Sequence, residues 1–291
     1  MLKNGVCEYV TVLGFFDGIH IGHKKLISEA RAKAQELSLK TAVFTFASLP
    51  TKDNSERRIL TSDERCDLLL ALGVDAVYES GFEDVKDMDA ESFVKEILIE
   101  KMHTRAAFCG KSFKFGRGAK YTCDDMRCEL ERYGAALYTV DEEAVSDKKI
   151  SSSEIKKYIE NGEIERANSL LCEPYFISST VIHGRGVGRK LGFPTVNADI
   201  PVGKVVLKNG VYKSKIVCEG KEYDALTNVG SCPTFKKRKI HTESFMPDFE
   251  GDLYEKNIRI YFLEFLRDEI KFENEKRLIS QIKEDIERAR R

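Results

Sequence analysis

The feature that most constrains the fold is a glycine-rich turn at residues 13–23, which read Leu-Gly-Phe-Phe-Asp-Gly-Ile-His-Ile-Gly-His. The apolar run 10–13 predicts a strand before the turn, and apolar residues at helical spacing predict a helix after it, over 24–37. Gly14, Gly18 and Gly22 let the backbone turn tightly and come close to a ligand. The unpaired N–H groups at the start of the following helix attract anions. The segment therefore predicts a ligand-binding turn between a strand and a helix.

Two histidines, His20 and His23, stand three residues apart at the start of this predicted helix. At that spacing two imidazoles can face one polyphosphate, donate hydrogen bonds to it and, if protonated, offset charge at the reacting phosphorus. The alternative is a glycine turn with two surface histidines. Because the pattern follows a strand and precedes a helix, it favours nucleotide binding.

Length and charge exclude several classes of protein. A chain of 291 residues suggests about two domains. The net charge of −1 is unlike that of a general nucleic-acid binder, and the one basic run, 236–239, is typical of a solvated turn. No stretch approaches ~18 apolar residues, so we expect a soluble cytoplasmic protein with no membrane partner. The eight cysteines lack metal-site spacing and are expected to be reduced thiols.

Strand and helix patterns alternate through the first half. Strands are predicted at 9–13, 41–46, 74–78, 106–109 and 137–140, and helices at 24–37, 62–72, 91–102 and 123–133. Thr61 and Glu64 form a capping box before the second helix, and Gly73 is placed to end it. Such alternation predicts a parallel sheet covered by helices on both faces, with ligands at the carboxyl ends of its strands.

The pattern changes after two short predicted helices, 151–159 and 164–171. Strands are then predicted at 175–182, 210–217, 222–229 and 257–266, with glycine and proline turns between them. This predicts an antiparallel barrel or sandwich. Residues 276–291 place Leu278, Ile279, Ile282 and Ile286 on one face and predict a helix that packs on the barrel. The predicted domains are 1–172 and 173–291.

A second cluster in the first half combines Gly110 with Phe113 and Phe115 after a predicted strand. The glycine permits close backbone approach, and the aromatic faces could stack on a nucleobase or a flavin ring. The sequence fits equally well the alternative that this is an ordinary turn whose two phenylalanines are buried in the core.

A third cluster places Ser151 and Ser152 at a helix start, with Lys156 one turn further on. These groups can hold phosphates. As an isolated pattern, however, serines at a helix start are more typical of capping.

The second half contains a loop dense in glycine and cations, which includes Gly184 and Gly188 and predicts a phosphate-wrapping loop rather than a common P-loop. Thr195 and Asn197 follow it, and in an extended segment their oxygen donors point the same way. Hard oxygen donors of this kind suit Mg²⁺. Glu243 stands among apolar and hydroxyl neighbours, where a partly buried carboxylate can act as general base.

Taken together, these motifs resemble the bacterial bifunctional riboflavin kinase/FAD synthetase family over nearly the whole chain. The resemblance rests on residues 14–23, 110–116 and 150–156 in the first half, and on 192–197, 210–212, 228–234, 243–254 and 266–272 in the second. It implies an α/β Rossmann-like nucleotidyltransferase domain, the FMN adenylyltransferase, followed by a six-stranded antiparallel riboflavin kinase barrel with a C-terminal helix.

The resemblance also implies two consecutive reactions. The barrel transfers the γ-phosphate of ATP to riboflavin to give FMN, and the first domain transfers AMP from a second ATP to FMN to give FAD and pyrophosphate. Both require Mg²⁺. The implied substrates and products are small molecules (ATP, riboflavin, FMN and FAD), and we expect a monomer or weak homo-oligomer.

The implied residue roles follow the motifs by position. In the first domain, His20 and His23 stabilise charge on the ATP phosphates. Nucleotide binding falls to Gly14, Phe16, Asp17, Gly18, Gly22, Ser151, Ser152 and Lys156. In the kinase, Glu243 is the catalytic base, and nucleotide binding falls to Gly184, Gly188, Thr195 and Asn197, of which Thr195 and Asn197 also hold Mg²⁺. Flavin contacts are Gly110, Phe113, Phe115 and Arg267.

Several positions depart from the family pattern. In the first half, residues 47–50 stand where the family usually has Pro-His-Pro, Ser112 stands where it has an acidic or amide residue, and Glu154 is an acidic substitution in the serine helix. In the second half, Phe245 stands where the family usually has a histidine. Most departures fall in the adenylyltransferase half. They motivate an alternative, a monofunctional riboflavin kinase or a flavin-sensing regulator with an impaired first domain. Another nucleotidyltransferase of the same superfamily is disfavoured because it needs no kinase barrel.

Overall fold

The computed structural model describes residues 7–47, 57–141, 144–145, 148–184, 186, 188, 191–232 and 239–290. The chain divides into two compact units. The first contains the chain up to Glu56 together with Leu60–Ser151, and the second contains Arg57–Ile59 and Ser152–Arg291. Part of the segment 47–50, the run 236–238, and residues 185, 187, 189 and 190 of the glycine-rich loop lie outside the described residues.

The first unit contains a parallel five-stranded sheet in the order β3-β2-β1-β4-β5. Its strands are β1 Tyr9–Leu13, β2 Lys40–Phe46, β3 Ala76–Ser80, β4 Thr104–Gly110 and β5 Ala136–Val140. The chain leaves β1 for β2 on one side and later reaches β4 on the other, so the strand order reverses beside β1. In open α/β sheets this reversal opens a crevice at the carboxyl ends of the strands.

The helices of the first unit lie between these strands. They are α1 Ile21–Glu36, α2 Ser62–Ala71, α3 Phe82–Val85, α4 Ala90–Ser92, which continues as a π-helix over Phe93–Lys101, and α5 Cys123–Arg132. Two two-residue strands follow, β6 Ala144–Val145 and β7 Lys148–Lys149. The predicted capping box is confirmed, because Thr61 accepts from the Glu64 backbone N–H and the Glu64 carboxylate accepts from that of Thr61. Gly73 follows α2 with a φ of +83°, as its predicted role requires.

The second unit contains a closed six-stranded barrel in the order β10-β11-β12-β9-β8-β13, with β13 returning to β10. Its strands are β8 Phe176–Ile182, β9 Thr195–Asp199, β10 Gly210–Cys218, β11 Lys221–Cys232, β12 Lys239–Phe245 and β13 Asn257–Arg267. All of its strand pairs are antiparallel. The predicted barrel is therefore confirmed, and it contains two strands that were not predicted from the sequence, β9 and β12.

Part of the barrel interior is polar. Ser214, Thr227 and Ser244 are buried and form a chain of hydroxyl hydrogen bonds of 2.6 and 2.8 Å across β10, β11 and β12. Thr242 is also buried and donates to the carbonyl of Ala198 at 3.1 Å. Since neighbouring residues of a strand face opposite sides, these hydroxyls place Glu243 on the outer face of β12.

The second unit also contains the helices α6 Ser152–Asn161, α7 Ile164–Leu170 and α8 Glu275–Ala289. The last is the predicted C-terminal helix, and it packs Ile286 against buried Val211, Leu226 and Leu266 of the barrel. Residues 152–170, which the predicted boundary assigns to the first domain, group with the barrel by their contacts. In the described part of the chain, no helix combines the length and apolarity that a membrane crossing needs.

Candidate active sites

The histidine turn connects the carboxyl end of β1 to α1. His20 is the N-cap of that helix, and its Nδ1 accepts the backbone N–H of His23 at 3.3 Å. Phe16 and Gly18 have positive φ angles of 52° and 69°. The Phe16 side chain is completely buried, although its backbone has a strained positive φ. A Cβ at Gly14 would lie 3.0 Å from the Phe16 ring. The turn is therefore fixed by packing rather than free to move.

The two imidazole rings stack, with centroids 3.7 Å apart and an angle of 17° between their planes. Burial lowers the pKa of His20 to about 4. Burial, together with repulsion from His20, lowers the pKa of His23 well below its ordinary value, and a backbone hydrogen bond at Gly18 only partly opposes this. Both rings are thus neutral near pH 7 in the free protein. The protonated form considered from the sequence is therefore not the resting state, and a neutral imidazole can still donate one N–H.

An apolar cavity of about 540 Å³ lies beside this turn within the first unit. Its size falls in the range of small-molecule sites. Phe15, Phe46 and Phe82 line it, with the Phe46 ring 5.0 Å from that of Phe15 and 5.6 Å from that of Phe82. Phe113 and Phe115 line it from the turn that follows β4. Phe15 and Phe46 were not selected by the sequence analysis, although Phe15 lies inside the histidine motif.

The structure separates the two phenylalanines that the sequence left undecided. Phe115 is buried in the core and contacts Phe93, with ring centroids 5.2 Å apart. Phe113 is only partly buried and packs against that core. Gly110 ends β4 and accepts the Phe113 backbone N–H at 2.9 Å, which starts the turn. Phe113 is therefore the ring better placed for a ligand, whereas Phe115 is mainly structural.

The serine cluster lies where the two units divide. Ser151 belongs to the first unit, and α6 of the second begins at Ser152. The Glu154 carboxylate accepts the Tyr158 hydroxyl at 2.8 Å, one turn along the helix. This hydrogen bond occupies one oxygen of the acidic residue that departs from the family pattern. The phosphate-binding role of Ser151, Ser152 and Lys156 stays a prediction.

Most of the predicted kinase residues line a cavity of about 320 Å³ on the outer face of the barrel. Thr195, Glu243 and Arg267 line it together with Gly188 of the glycine-rich loop. A Cβ at Gly188 would collide with the carbonyl oxygen of Phe193, so the loop requires glycine there. The remaining wall is mostly apolar and includes Val211, Leu226, Phe245, Phe272, Leu278 and Ile282.

Glu243 lies in the middle of β12, and the barrel register sets its neighbours. Its partners across the strands are Asn228 on β11 and Asn197 on β9. About 37% of its side-chain surface is exposed, so the carboxylate reaches the cavity while its stem is held by the sheet. Glu243 is thus partly buried beside a cavity, as a general base would need to be.

Thr195 and Asn197 both lie on β9, but their surroundings differ. Thr195 lines the cavity beside Glu243 and also a second cavity of about 420 Å³, whose wall includes Phe249 and Tyr254. Asn197 is buried, donates to the Thr195 carbonyl at 3.3 Å and lies so close to Gly184 that a Cβ there would collide with the amide. Thr195 therefore lies on the wall of both cavities, whereas Asn197 is among the described wall residues of neither.

Arg267 lines the kinase cavity, as predicted, but one edge of its guanidinium is already occupied. Its Nε and Nη2 donate to the carboxylate of Asp285 on α8 at distances from 2.7 to 3.0 Å. Its planar group lies 6.0 Å from the ring centre of Phe272. Asp285 was not predicted from the sequence, because nothing in the helical pattern distinguishes it from a solvated acid.

The comparisons with known proteins cover both units. The family model described as FAD synthetase matches residues 3–154, and the model described as riboflavin kinase matches residues 171–291. The bifunctional riboflavin kinase/FMN adenylyltransferase of Bacillus subtilis is 34% identical over 99% of this chain and 94% of its own length. The protein of the same description from Listeria monocytogenes is 31% identical over 97% of this chain and 91% of its own length.

Similar solved structures include one that matches almost the full chain. It is the crystal structure of a Streptococcus pneumoniae protein described as a macrolide-efflux protein. The two chains are 28% identical with a TM-score of 0.88, and the match covers 99% of this chain and 95% of the other.

Proposed function

Because the chain belongs to the bifunctional riboflavin kinase/FMN adenylyltransferase family, we propose that the two sites described above carry out its two reactions in sequence. The barrel phosphorylates riboflavin to FMN with ATP. The first unit adenylylates FMN to FAD and releases pyrophosphate. Both halves match a family model, which does not support the alternative of a monofunctional kinase or a flavin sensor.

The observation that carries the kinase assignment is that Glu243 and Thr195 line one cavity from adjacent strands of the barrel. In the proposed reaction, Glu243 accepts the proton of the riboflavin 5′-hydroxyl as that oxygen attacks the γ-phosphorus of ATP. The apolar wall and Phe272 hold the flavin ring. The second cavity, which shares Thr195, takes the nucleotide, so Thr195 stands between the two substrates.

Unlike the kinase reaction, the adenylyltransferase reaction does not require a side chain that removes a proton from the attacking group. The FMN phosphate already carries a charge of about −1.5 to −2 at pH 7, so its oxygen can attack the α-phosphorus without a general base. His20 and His23 then act as neutral hydrogen-bond donors to the phosphate oxygens, where negative charge accumulates. Bound phosphate charge also raises the pKa of each imidazole from its lowered value. Phe113, with the cavity rings, holds the isoalloxazine.

We propose Mg²⁺ for both reactions. In the kinase, the hydroxyl of Thr195 and the amide oxygen of Asn197 are hard donors of the kind that this ion prefers, and these residues would hold it. The ion would neutralise phosphate charge when bound. Because Mg²⁺ usually keeps several waters and binds substrate phosphates as well, these two residues would supply only part of its coordination.

The test is to incubate the purified chain with riboflavin, ATP and Mg²⁺ and to separate riboflavin, FMN and FAD over time. We expect FMN to appear first and FAD to follow. Accumulation of FMN without FAD would contradict the assignment of the first unit, and no FMN would contradict that of the barrel. The domain boundary at 172/173, the monomeric or weakly oligomeric state, the absence of nucleic-acid partners and the cytoplasmic location stay predictions.

A further inference from the structure

Glu243 has a titratable neighbour on its own strand. His241 lies two residues earlier on β12, so the two side chains share one face of the sheet. The Nε2 atom of His241 lies 3.3 Å from Oε1 of Glu243. Because an ionised carboxylate can only accept, this bond requires a proton on Nε2, and the imidazole donates it.

His241 contacts the Glu243 carboxylate without itself lining the cavity. Glu243 lines the kinase cavity, whereas His241 is not among the described residues of its wall. Its side chain is 20% exposed, against 37% for Glu243, so it is the more enclosed of the two. Within the described part of the chain, His241 supplies the one side-chain hydrogen bond to this carboxylate. The cross-strand neighbours Asn228 and Asn197 make none with it.

A glutamate side chain has three rotatable bonds, and a half-exposed carboxylate samples several rotamers unless a partner restrains it. A general base must lie within hydrogen-bond reach of the proton that it removes. A shift of about 1 Å from that geometry can cost about 10²-fold in rate. A donor that engages Oε1 therefore decides how often Oε2 is available at the cavity.

We propose that His241 is a positioning residue of the riboflavin kinase reaction: its Nε2–H holds Oε1 of Glu243 and leaves Oε2 to accept the proton of the substrate hydroxyl. The inference rests on the proposed role of Glu243 as general base. It assigns no direct contact between His241 and either substrate. Loss of the bond should therefore lower kcat and leave the KM values for riboflavin and ATP nearly unchanged.

The experiment compares two amide variants of the full chain that differ by one methylene. In His241→Gln the side-chain N–H reaches about as far as Nε2 of histidine, whereas in His241→Asn it falls short. We expect H241N to lower kcat for FMN formation about tenfold, the usual effect of losing one hydrogen bond to a charged group, with both KM values within about twofold. H241Q should retain most of the wild-type kcat.

His103→Asn provides the matched control. His103 is an exposed histidine of the first unit with a φ of +50°, a conformation that asparagine tolerates. Its kinase kinetics should equal those of the wild type. FAD formation from supplied FMN should be unchanged in H241N and H241Q, which reports an intact first unit, and KM values for riboflavin and ATP within about twofold of the wild type report that the barrel is folded.

Glu243→Gln, measured in parallel, separates this inference from the proposed function. If E243Q keeps wild-type kinase activity, the assignment of the base is wrong. If E243Q is inactive but H241N keeps the wild-type kcat, or if H241N and H241Q lose the same amount, the positioning role of His241 is wrong. Adding H241N to E243Q should cause no further loss, because there is no longer an ionised carboxylate to position.

Discussion

Arg267 at the end of β13 and Asp285 in the C-terminal half of α8 form a nearly buried, bidentate ion pair. The side chain of Arg267 is 18% exposed and that of Asp285 is 6% exposed. The guanidinium donates through both Nε and Nη2, and Gln281 adds a hydrogen bond of 3.2 Å to the same carboxylate. The pair connects the C-terminal helix to the barrel at the wall of the 320 Å³ cavity, so one interaction supports both the helix packing and the proposed flavin site.

We predict that Asp285→Ala destabilises the chain by about 3–5 kcal/mol, because it leaves the Arg267 charge enclosed without its partner. Denaturant unfolding would measure the loss. Glu163→Ala serves as the control, since its ion pair with Arg166 is exposed and should contribute little. D285A should also raise the KM for riboflavin as Arg267 loses its fixed orientation. Equal stability of D285A and the wild type would contradict the structural role.

Glu243→Gln should lower the rate of FMN formation by about 10²–10⁴, because the amide cannot accept the proton of the substrate hydroxyl. The size and polarity of the side chain are nearly kept, so the melting temperature should change little. FAD formation from supplied FMN should continue, since His20 and His23 lie in the other unit. Chromatographic separation of the flavins measures both reactions in one sample. A parallel loss of both activities would count against separate sites.

The lowered pKa of His20 predicts a pH-dependent stability. In the unfolded chain a histidine binds a proton near pH 6.5, whereas in the folded chain His20 does so only near pH 4. Between these values the unfolded state binds more protons, so the free energy of unfolding falls as the pH falls from 6.5 to 4. The contribution of His20 over this window is on the order of 3 kcal/mol.

His20→Asn tests this contribution, because asparagine keeps an N-cap acceptor and removes the titrating group. We expect similar stability to the wild type at pH 7 and a smaller loss between pH 6.5 and 4, measured by denaturant unfolding at several pH values. Some pH dependence should remain, since His23 keeps its own lowered pKa. An unchanged slope in H20N would contradict the prediction.

The two phenylalanines of the turn after β4 should respond differently to truncation. Phe115→Ala should destabilise the chain by about 3–5 kcal/mol, because the buried ring leaves a cavity in the core. Phe113→Ala should change stability much less and raise the KM for FMN in FAD synthesis. Steady-state kinetics and denaturant unfolding of both variants would distinguish these roles. The reverse pattern would mean that Phe115 contacts the flavin and that Phe113 is structural.

The secondary structure of the first unit was largely readable from the sequence. The predicted strand 9–13 coincides with β1, and the other four predicted strands overlap β2 to β5. The apolar runs of the central strands β1, β2 and β4 are buried, as is typical of a parallel sheet, whereas the edge strands β3 and β5 are only partly buried. The stacking of His20 on His23 could not be predicted, because it depends on the buried, positive-φ conformation of Phe16.

In the second unit, the two missed strands carry three of the predicted kinase residues: Thr195 and Asn197 on β9, and Glu243 on β12. β12 reads Lys-Ile-His-Thr-Glu-Ser-Phe, and its inward side chains include Thr242 and Ser244 rather than a full set of apolar residues. Such a strand has no clear apolar alternation, because a chain of hydroxyl hydrogen bonds satisfies the polar interior. Thr195, Asn197 and Glu243 could be selected from the sequence by their residue types. Their pairing across β9 and β12 could not be predicted, because it depends on the strand register.

The sequence by itself determined the two-part α/β and barrel organisation, the glycine-histidine turn, and the residue types that suit two phosphate-transfer reactions. These are local properties, since periodicity, capping and turn formation depend on residues close together in the chain. Only the tertiary structure decided which side chains meet: His241 with Glu243, Arg267 with Asp285, and Thr195 with both cavities. Those meetings depend on strand register and helix packing over long separations, which no local pattern encodes.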